Sequence, residues 1–196
     1  MPAAADSVVV IPANEYRRER WKNGLGWTRE IARHAASGTA HGAWDWRLSI
    51  AEIEQDAAFS PFPGVDRVLV LLSGNGLRLR FADGAVRELL PPFASARFPG
   101  EAALSGELID GRTTDFNLMW RRDAIAAELW HRPLVGTMVV FAEPGETWVV
   151  HLAAGQARVD GERALAAGDT ALLGDGRRRH LVEGGGDVLL ARLRRP

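Results

Sequence analysis

The sequence predicts an all-β molecule, a double β-barrel or sandwich of two related modules packed as one compact unit. Three observations point there. The 21 glycines and 10 prolines recur along the whole chain and cut it into short pieces. Most pieces alternate polar and apolar residues, or run apolar, over about 5–8 residues, the pattern of half-buried and fully buried strands. One order of strand, glycine, hairpin and strand then occurs twice.

In chain order, Val8–Ile11 is the first predicted strand. In Trp44–Ile53, Trp44, Trp46, Leu48 and Ile50 fall on one face, and Asp45, Arg47, Ser49 and Ala51 on the other. Val68–Leu72 and Leu77–Phe81 follow. Around Phe116–Trp120, Phe116, Leu118 and Trp120 oppose Asp115, Asn117, Met119 and Arg121. Met138–Phe141, Thr147–Leu152, Thr170–Leu173 and Val188–Leu193 complete the set. The stretch Asp123–Trp130 stays open between helix and strand, since it has good helix formers and an acidic start.

The repeat sets P-G-V-D-R-V-L-V-L-L-S-G (63–74) beside P-G-E-T-W-V-V-H-L-A-A-G (144–155). Each copy opens on a Pro-Gly turn, runs through an apolar strand and ends at glycine. Each then meets an Asp-Gly pair, Asp83-Gly84 and Asp160-Gly161, which favours hairpins because both residues tolerate positive φ. Beyond it, L-L-P-P-F-A-S-A-R-F-P-G parallels L-A-A-G-D-T-A-L-L-G-D-G. The chain 1–196 reads as a single domain with modules at about 8–122 and 123–193.

Composition excludes several functions. The net charge of -1 gives no attraction to nucleic-acid phosphates or anionic membranes. The run Arg177-Arg178-Arg179, preceded by Gly174-Asp175-Gly176, reads as a solvated turn. There is no cysteine, hence no disulfide, thiol nucleophile or thiolate metal site. No segment nears the roughly 20 apolar residues of a membrane helix. Val8-Val9-Val10-Ile11 is too short for a leader and runs into Pro12. A cytoplasmic location is expected. His34, His41, His131, His151 and His180 show no spacing that puts two imidazoles on one metal, so each reads as a surface or internally satisfied residue. No metal and no cofactor is expected. There is no nucleophile elbow, and Gly24-Leu25-Gly26 and Gly74-Asn75-Gly76 lack the third glycine of a dinucleotide loop.

Polar residues of mixed type remain. In W-K-N-G-L-G-W-T-R-E (21–30), Trp21 and Trp27 are expected to anchor the segment in the core, each able to bury about 150–250 Å². Lys22 and Asn23 then project toward a pocket mouth. Arg47 and Arg67 offer planar forks suited to a carboxylate, and Lys22 adds a point charge. Asn23, Thr28, Ser49 and Asn117 suit an amide or formyl group. Bare buried carboxylates are costly, so Glu30, Asp110 and Asp115 are expected to pair with arginine or lysine. Glu30 or Asp115 becomes a general base only if its pKa is raised. The expected ligand-binding set is Lys22, Asn23, Thr28, Glu30, Arg47, Ser49, Arg67, Asp115 and Asn117, with no catalytic residue.

The order of strand, glycine, hairpin, Gly-Asp and strand resembles an RmlC-like cupin barrel, and two copies a bicupin. The stretches W-K-N-G-L-G-W-T-R-E-I (21–31), W-R-L-S-I-A-E-I (46–53), F-S-P-F-P-G-V-D-R (59–67) and D-F-N-L-M-W-R-R (115–122) resemble the HutD/Ves family of cupin-like proteins. The likeness spans roughly residues 8–193 and is densest in the first two-thirds. Leu25 interrupts the family's glycine run. Where metal-dependent cupins carry a histidine pair, this chain has F-S-P-F-P-G-V-D-R. The resemblance implies a cytoplasmic bacterial protein of histidine utilisation. It would bind a small anionic metabolite, such as an acidic or formylated amino-acid derivative, to regulate or limit flux rather than catalyse a step. One alternative is a metal-independent cupin-type isomerase or hydrolase acting on a small carboxylate, with Glu30 or Asp115 as base and Arg47 and Arg67 as clamps. Another is a protein–protein module with a vestigial pocket. Exposed strand edges in such folds favour a homodimer.

Overall fold

A computed structural model describes residues 8–35, 44–174 and 179–196. Arg177, Arg178 and His41 lie outside the described residues. In chain order the strands are β1 (Val8–Ile11), β2 (Arg17–Arg20), β3 (Gly26–His34), β4 (Trp46–Ile53), β5 (Ala57–Ala58), β6 (Val65–Ser73), β7 (Leu77–Phe81) and β8 (Val86–Leu89). They continue as β9 (Ser95–Pro99), β10 (Leu104–Leu108), β11 (Thr113–Arg121), β12 (Ala126–Phe141), β13 (Glu146–Val159), β14 (Arg163–Ala166), β15 (Thr170–Leu173) and β16 (Arg179–Arg194). A single 3₁₀ turn at Ala13–Glu15 is the one helical element among the described residues. None of the described helices is long and apolar enough to cross a membrane.

One compact unit is Arg17–Ala124. It holds a six-stranded sheet ordered β2-β3-β4-β11-β6-β9 and a four-stranded sheet ordered β5-β10-β7-β8. The two form a sandwich, because alternate residues of each point inward. Ala51, Ile53, Leu69, Leu71, Ala96 and Phe98 of the larger sheet meet Leu77, Leu79, Leu89 and Leu104 of the smaller. The opposite face of the larger sheet is apolar too: Leu48, Phe116 and Leu118 are fully buried. Central strands with both faces covered read as nearly continuous apolar runs, which is why β6 shows V-L-V-L-L.

The other unit comprises the chain through Tyr16 and Ile125–Pro196. Its sheet is ordered β1-β15-β13-β16-β12, with β14 also paired to β13. All six strands supply its core, among them Val8, Leu134, Leu152, Leu165, Leu173 and Val182. Asp123–Trp130, open between helix and strand in the sequence, feeds β12. That strand pairs with β16 continuously from Ala126↔Arg194 to Phe141↔Arg179, and this ladder overrides local helix propensity. Val8–Ile11 pairs with β15, from Val8↔Leu173 to Ile11↔Thr170. The compact units therefore divide the chain differently from the repeat boundaries 8–122 and 123–193. No strand order returns to its starting strand, so the sheets among the described residues are open sandwich layers rather than closed barrels.

The repeat is visible in backbone geometry. Gly64 and Gly145 of the two Pro-Gly turns have φ of 76° and 82°, and Gly74 and Gly155 have φ of 99° and 94°. β9 lies against β6 as β15 lies against β13. The hairpins differ: Asp160 and Gly161 both take positive φ, whereas in the first copy only Gly84 of the Asp-Gly pair does.

Candidate functional site

The inward face of the larger sheet changes character along its strands. Near Ile53 and Leu71 it is apolar core. Farther along β11 it becomes a set of cross-strand rows. Asp115 lies opposite Ala51 on β4, and Ala51 opposite Thr28 on β3. Asn117 lies opposite Ser49, and Ser49 opposite Glu30. Met119 lies opposite Arg47 on one side and Arg67 on the other. Period-two alternation places the residues of these rows on one face.

These rows open into a cavity of about 570 Å³, in the range of small-molecule sites. Lys22, Asn23, Thr28, Arg47, Ser49, Arg67, Asp115 and Asn117 all line it. Glu30 does not. It stands behind Arg47 and accepts a 2.7 Å hydrogen bond from Arg47 Nε, with Arg33 Nε 3.7 Å from its other oxygen. Asp110 is not part of the cavity lining; Asn75 Nδ2 donates to its backbone oxygen at 2.9 Å.

The loop between β2 and β3 forms one wall. Asn23 Oδ1 accepts from the Leu25 backbone N–H at 3.0 Å, an Asx turn that fixes the loop. Leu25 thus contributes its amide to loop shape, and its carbonyl accepts from the Glu54 N–H at 3.1 Å. Gly26 is required by close approach: a Cβ there would sit 2.5 Å from the Glu52 carbonyl oxygen and 3.0 Å from the Trp21 ring. Trp21 packs against the sandwich core, lines the cavity and donates its indole N–H to Thr28 Oγ1 at 2.9 Å. Trp27 departs from the core anchor expected of it. Its ring lies beneath two arginines, with Arg18 Cζ 4.1 Å and Arg20 Cζ 4.8 Å from the ring centroid, because its parity in β3 is opposite to that of Thr28.

Arg67 is the buried cation of the site, with 6% of its surface exposed. Its guanidinium lies among three phenylalanine rings, 5.2 Å from Phe59, 5.7 Å from Phe62 and 5.4 Å from Phe98. Cation–π contact of this kind strengthens when water is excluded. Burial lowers its pKa to about 10; the Asp115 charge works in the opposite direction and Arg47 adds to the lowering. Among the described residues Arg67 Nε has no hydrogen-bond partner.

Asp115 is its counterpart, 1% exposed. Burial raises its carboxyl to about 7, and Arg67 pulls the other way. The two form no ion pair. Neither Asp115 oxygen has a hydrogen-bond partner among the described residues, nor does Asn117 Oδ1. The pairing expected for a buried carboxylate holds for Glu30 and fails for Asp115.

Sequence reasoning missed the aromatic walls. Phe59 and Phe62 stand in F-S-P-F, and their spacing beside Arg67 was the available signal. Phe98 reaches Arg67 only through the β6–β9 pairing, which local pattern does not reveal. The described histidines are engaged elsewhere. His34 stacks on Trp46 at 5.9 Å, His131 Nε2 is 2.7 Å from Asp187, His151 Nδ1 2.9 Å from Thr170 Oγ1, and His180 Nδ1 2.9 Å from Asp160. No group of three or more His, Cys, Asp or Glu among the described residues is arranged to hold a metal ion.

Two all-β units with these strand orders, one of them a sandwich with a cavity on its inner face, define a cupin-like protein. A bacterial pirin from Escherichia coli, YhhW, solved in complex with nickel(II), shares that fold with a TM-score of 0.70 over 96% of this chain and 99% of its own, at 11% identity. The likeness there is one of fold. The chain belongs to the HutD family, whose profile matches residues 13–190. HutD from Pseudomonas fluorescens SBW25 superposes with a TM-score of 0.84 over 96% of this chain and 99% of that one, at 32% identity. An uncharacterised 21.2 kDa protein of the hutC 3' region of Pseudomonas putida is 40% identical over 120 residues, covering 61% of this chain and 62% of that protein. The match spans less than two-thirds of the length of this and the next curated relatives.

Proposed function

We propose that the protein binds a small anionic metabolite in the cavity of the Arg17–Ala124 sandwich and acts as a regulator or flux limiter in histidine utilisation. One observation carries the reading: Arg67 is a buried cation with no acidic partner in contact. A buried unpaired charge is strongly unfavourable, and a ligand carboxylate meeting the guanidinium fork relieves it. Arg20, Lys22, Arg47 and Arg67 outnumber Glu19 and Asp115 in the lining, so the cavity is cationic in a chain of net charge -1. An acidic or formylated amino-acid derivative fits this chemistry. The pathway assignment draws on the HutD match and on the P. putida relative's place beside hutC.

Thermal melts against simple carboxylates and N-formyl or N-acetyl amino acids test the reading. A ligand at ~100 times its Kd stabilises by roughly 2.7 kcal/mol. Wild type is expected to shift upward with at least one of these acids, and Arg67→Gln to lose the shift. Silence across the panel, or an equal shift in the variant, rejects the proposal. A second reading has one observation behind it. Asp115, raised to about 7 by burial, is poised as a general base, as an isomerase or hydrolase acting on a small carboxylate would need. Turnover of a bound acid that disappears in Asp115→Asn favours it.

A further inference from the structure

The three rows of the cavity run in chemical sequence. The row of Met119 holds the cations Arg47 and Arg67. The next holds Ser49 and Asn117, and the last Asp115. The backbone positions of Asp115 and Met119 are four residues apart on one strand, about 13 Å at 3.3 Å per residue, and the long Arg67 side chain lies between those ends, near enough for its charge to act on Asp115. The site thus has a cationic end, an amide middle and an acidic end on one continuous face.

Its buried atoms without partners follow the same order. At the cationic end the unmatched atom is a donor, Arg67 Nε; farther along they are Asn117 Oδ1 and the two Asp115 oxygens, all acceptors when the Asp115 carboxyl is ionised. Asp115, 1% exposed, and Asn117, 7% exposed, both line the cavity. Leaving buried polar atoms unmatched is costly, so the cavity is complementary to a ligand that brings donors to one end and acceptors to the other. A plain carboxylate satisfies Arg67 and leaves three acceptors unmet.

Resting on the anion-binding reading, we infer that the ligand is bipolar: a carboxylate held by Arg67 and, at its far end, an N–H group donated to Asp115 and Asn117. Specificity follows from chemistry. A site built to accept a hydrogen bond rejects an analogue lacking the donor far more strongly than a site of apolar contacts rejects a missing methylene. Arg47 contributes less to this choice because Glu30 already occupies its Nε.

Isothermal titration of the full chain tests this with a matched series: straight-chain carboxylates of three to six carbons, their ω-amino forms, the N-acetylated forms, and the ω-trimethylammonio forms. An ω-amino acid is expected to bind at least about tenfold more tightly than its parent acid, in keeping with a hydrogen bond to a charged group. The trimethylammonio acid, with charge but no N–H, is expected to lose that advantage. The N-acetyl acid distinguishes a neutral N–H, which retains the gain, from a requirement for ammonium, which abolishes it; either result keeps the donor. In Asp115→Leu and Asn117→Leu the ratio of ω-amino to parent affinity is expected to fall to within twofold. Asp115→Asn, nearly isosteric, checks that any loss is not one of folding. Equal binding of parent, ω-amino and N-acetyl acids, all dependent on Arg67, overturns this inference and leaves anion binding standing. Failure of the whole series to bind rejects both.

Discussion

The burial of Asp115 has a thermodynamic consequence. Its carboxyl is raised from 3.8 to about 7, so between those values the folded chain holds a proton that the unfolded chain has released. The group's contribution to stability is full below about pH 4 and lost as pH rises to about 7, roughly 4 kcal/mol at 1.36 kcal/mol per unit. The charges lining the same cavity are Arg67, Arg47, Arg20, Lys22 and Glu19, and of these Arg67 opposes the shift. Asp115→Asn is expected to melt on the order of 8–16 °C above wild type at pH 8, at roughly 2–4 °C per kcal/mol for a chain of this size. The two are expected to converge near pH 4. Calorimetry across pH 4–8 checks both; an unchanged difference between the two melts over that span refutes the assignment. Parity along β4 and β11 was enough to place Arg47, Ser49, Asp115 and Asn117 together before any coordinates. It said nothing about which acid would be paired. Glu30 meets Arg47 through the β3–β4 register, and Asp115 meets no partner, a difference that only three-dimensional neighbours decide.

Among the elements, β12 and β16 show how far tertiary pairing overrides local preference. D-A-I-A-A-E-L-W is adequate helix sequence, yet its last residues join a long antiparallel ladder with β16. Pro133 is tolerated within β12 because that strand ends the sheet's order and an outer strand can lack a ladder donor. On β16, Gly184 and Gly186 pass so close to β13 that no side chain fits at either position. A Cβ at Gly186, where φ is 137°, would lie 1.9 Å from the Ala154 carbonyl oxygen. Gly186→Ala is therefore expected to destabilise by about 3 kcal/mol or more, since both a backbone clash and an unfavourable φ are imposed. Urea denaturation measures it, and a change under 1 kcal/mol would show that the two strands separate readily. Strand positions such as Leu77–Phe81 and Thr170–Leu173 were legible to the residue, being short alternating or apolar runs bounded by turns. The length of β13 and β16 was not, because Gly155, Gly184 and Gly186 inside them read as breaks when they are points of close contact.

Across the molecule, the duplication was the most informative signal in the sequence, and it survives as matched glycine dihedrals and matched strand neighbours. The two copies have diverged in their interiors. The side chains of the 570 Å³ cavity all come from Arg17–Ala124. In the other unit, the strand equivalent to β6 supplies Val150 and Leu152 to an apolar core. Leu152→Ala is accordingly expected to cost about 2–5 kcal/mol of stability while leaving carboxylate affinity within twofold of wild type. Calorimetric unfolding and titration below the melting range test this together, and a large loss of affinity would show that the cavity depends on packing elsewhere.

Trp21 gives that cavity a property unrelated to affinity. An indole whose ring forms part of the wall and whose N–H is committed to Thr28 responds to whatever enters beside it, so its emission should change in colour or intensity when the chamber fills. Substituting Trp21 by phenylalanine would remove that component from the spectrum and identify it, leaving the chain with an intrinsic optical gauge of its own occupancy.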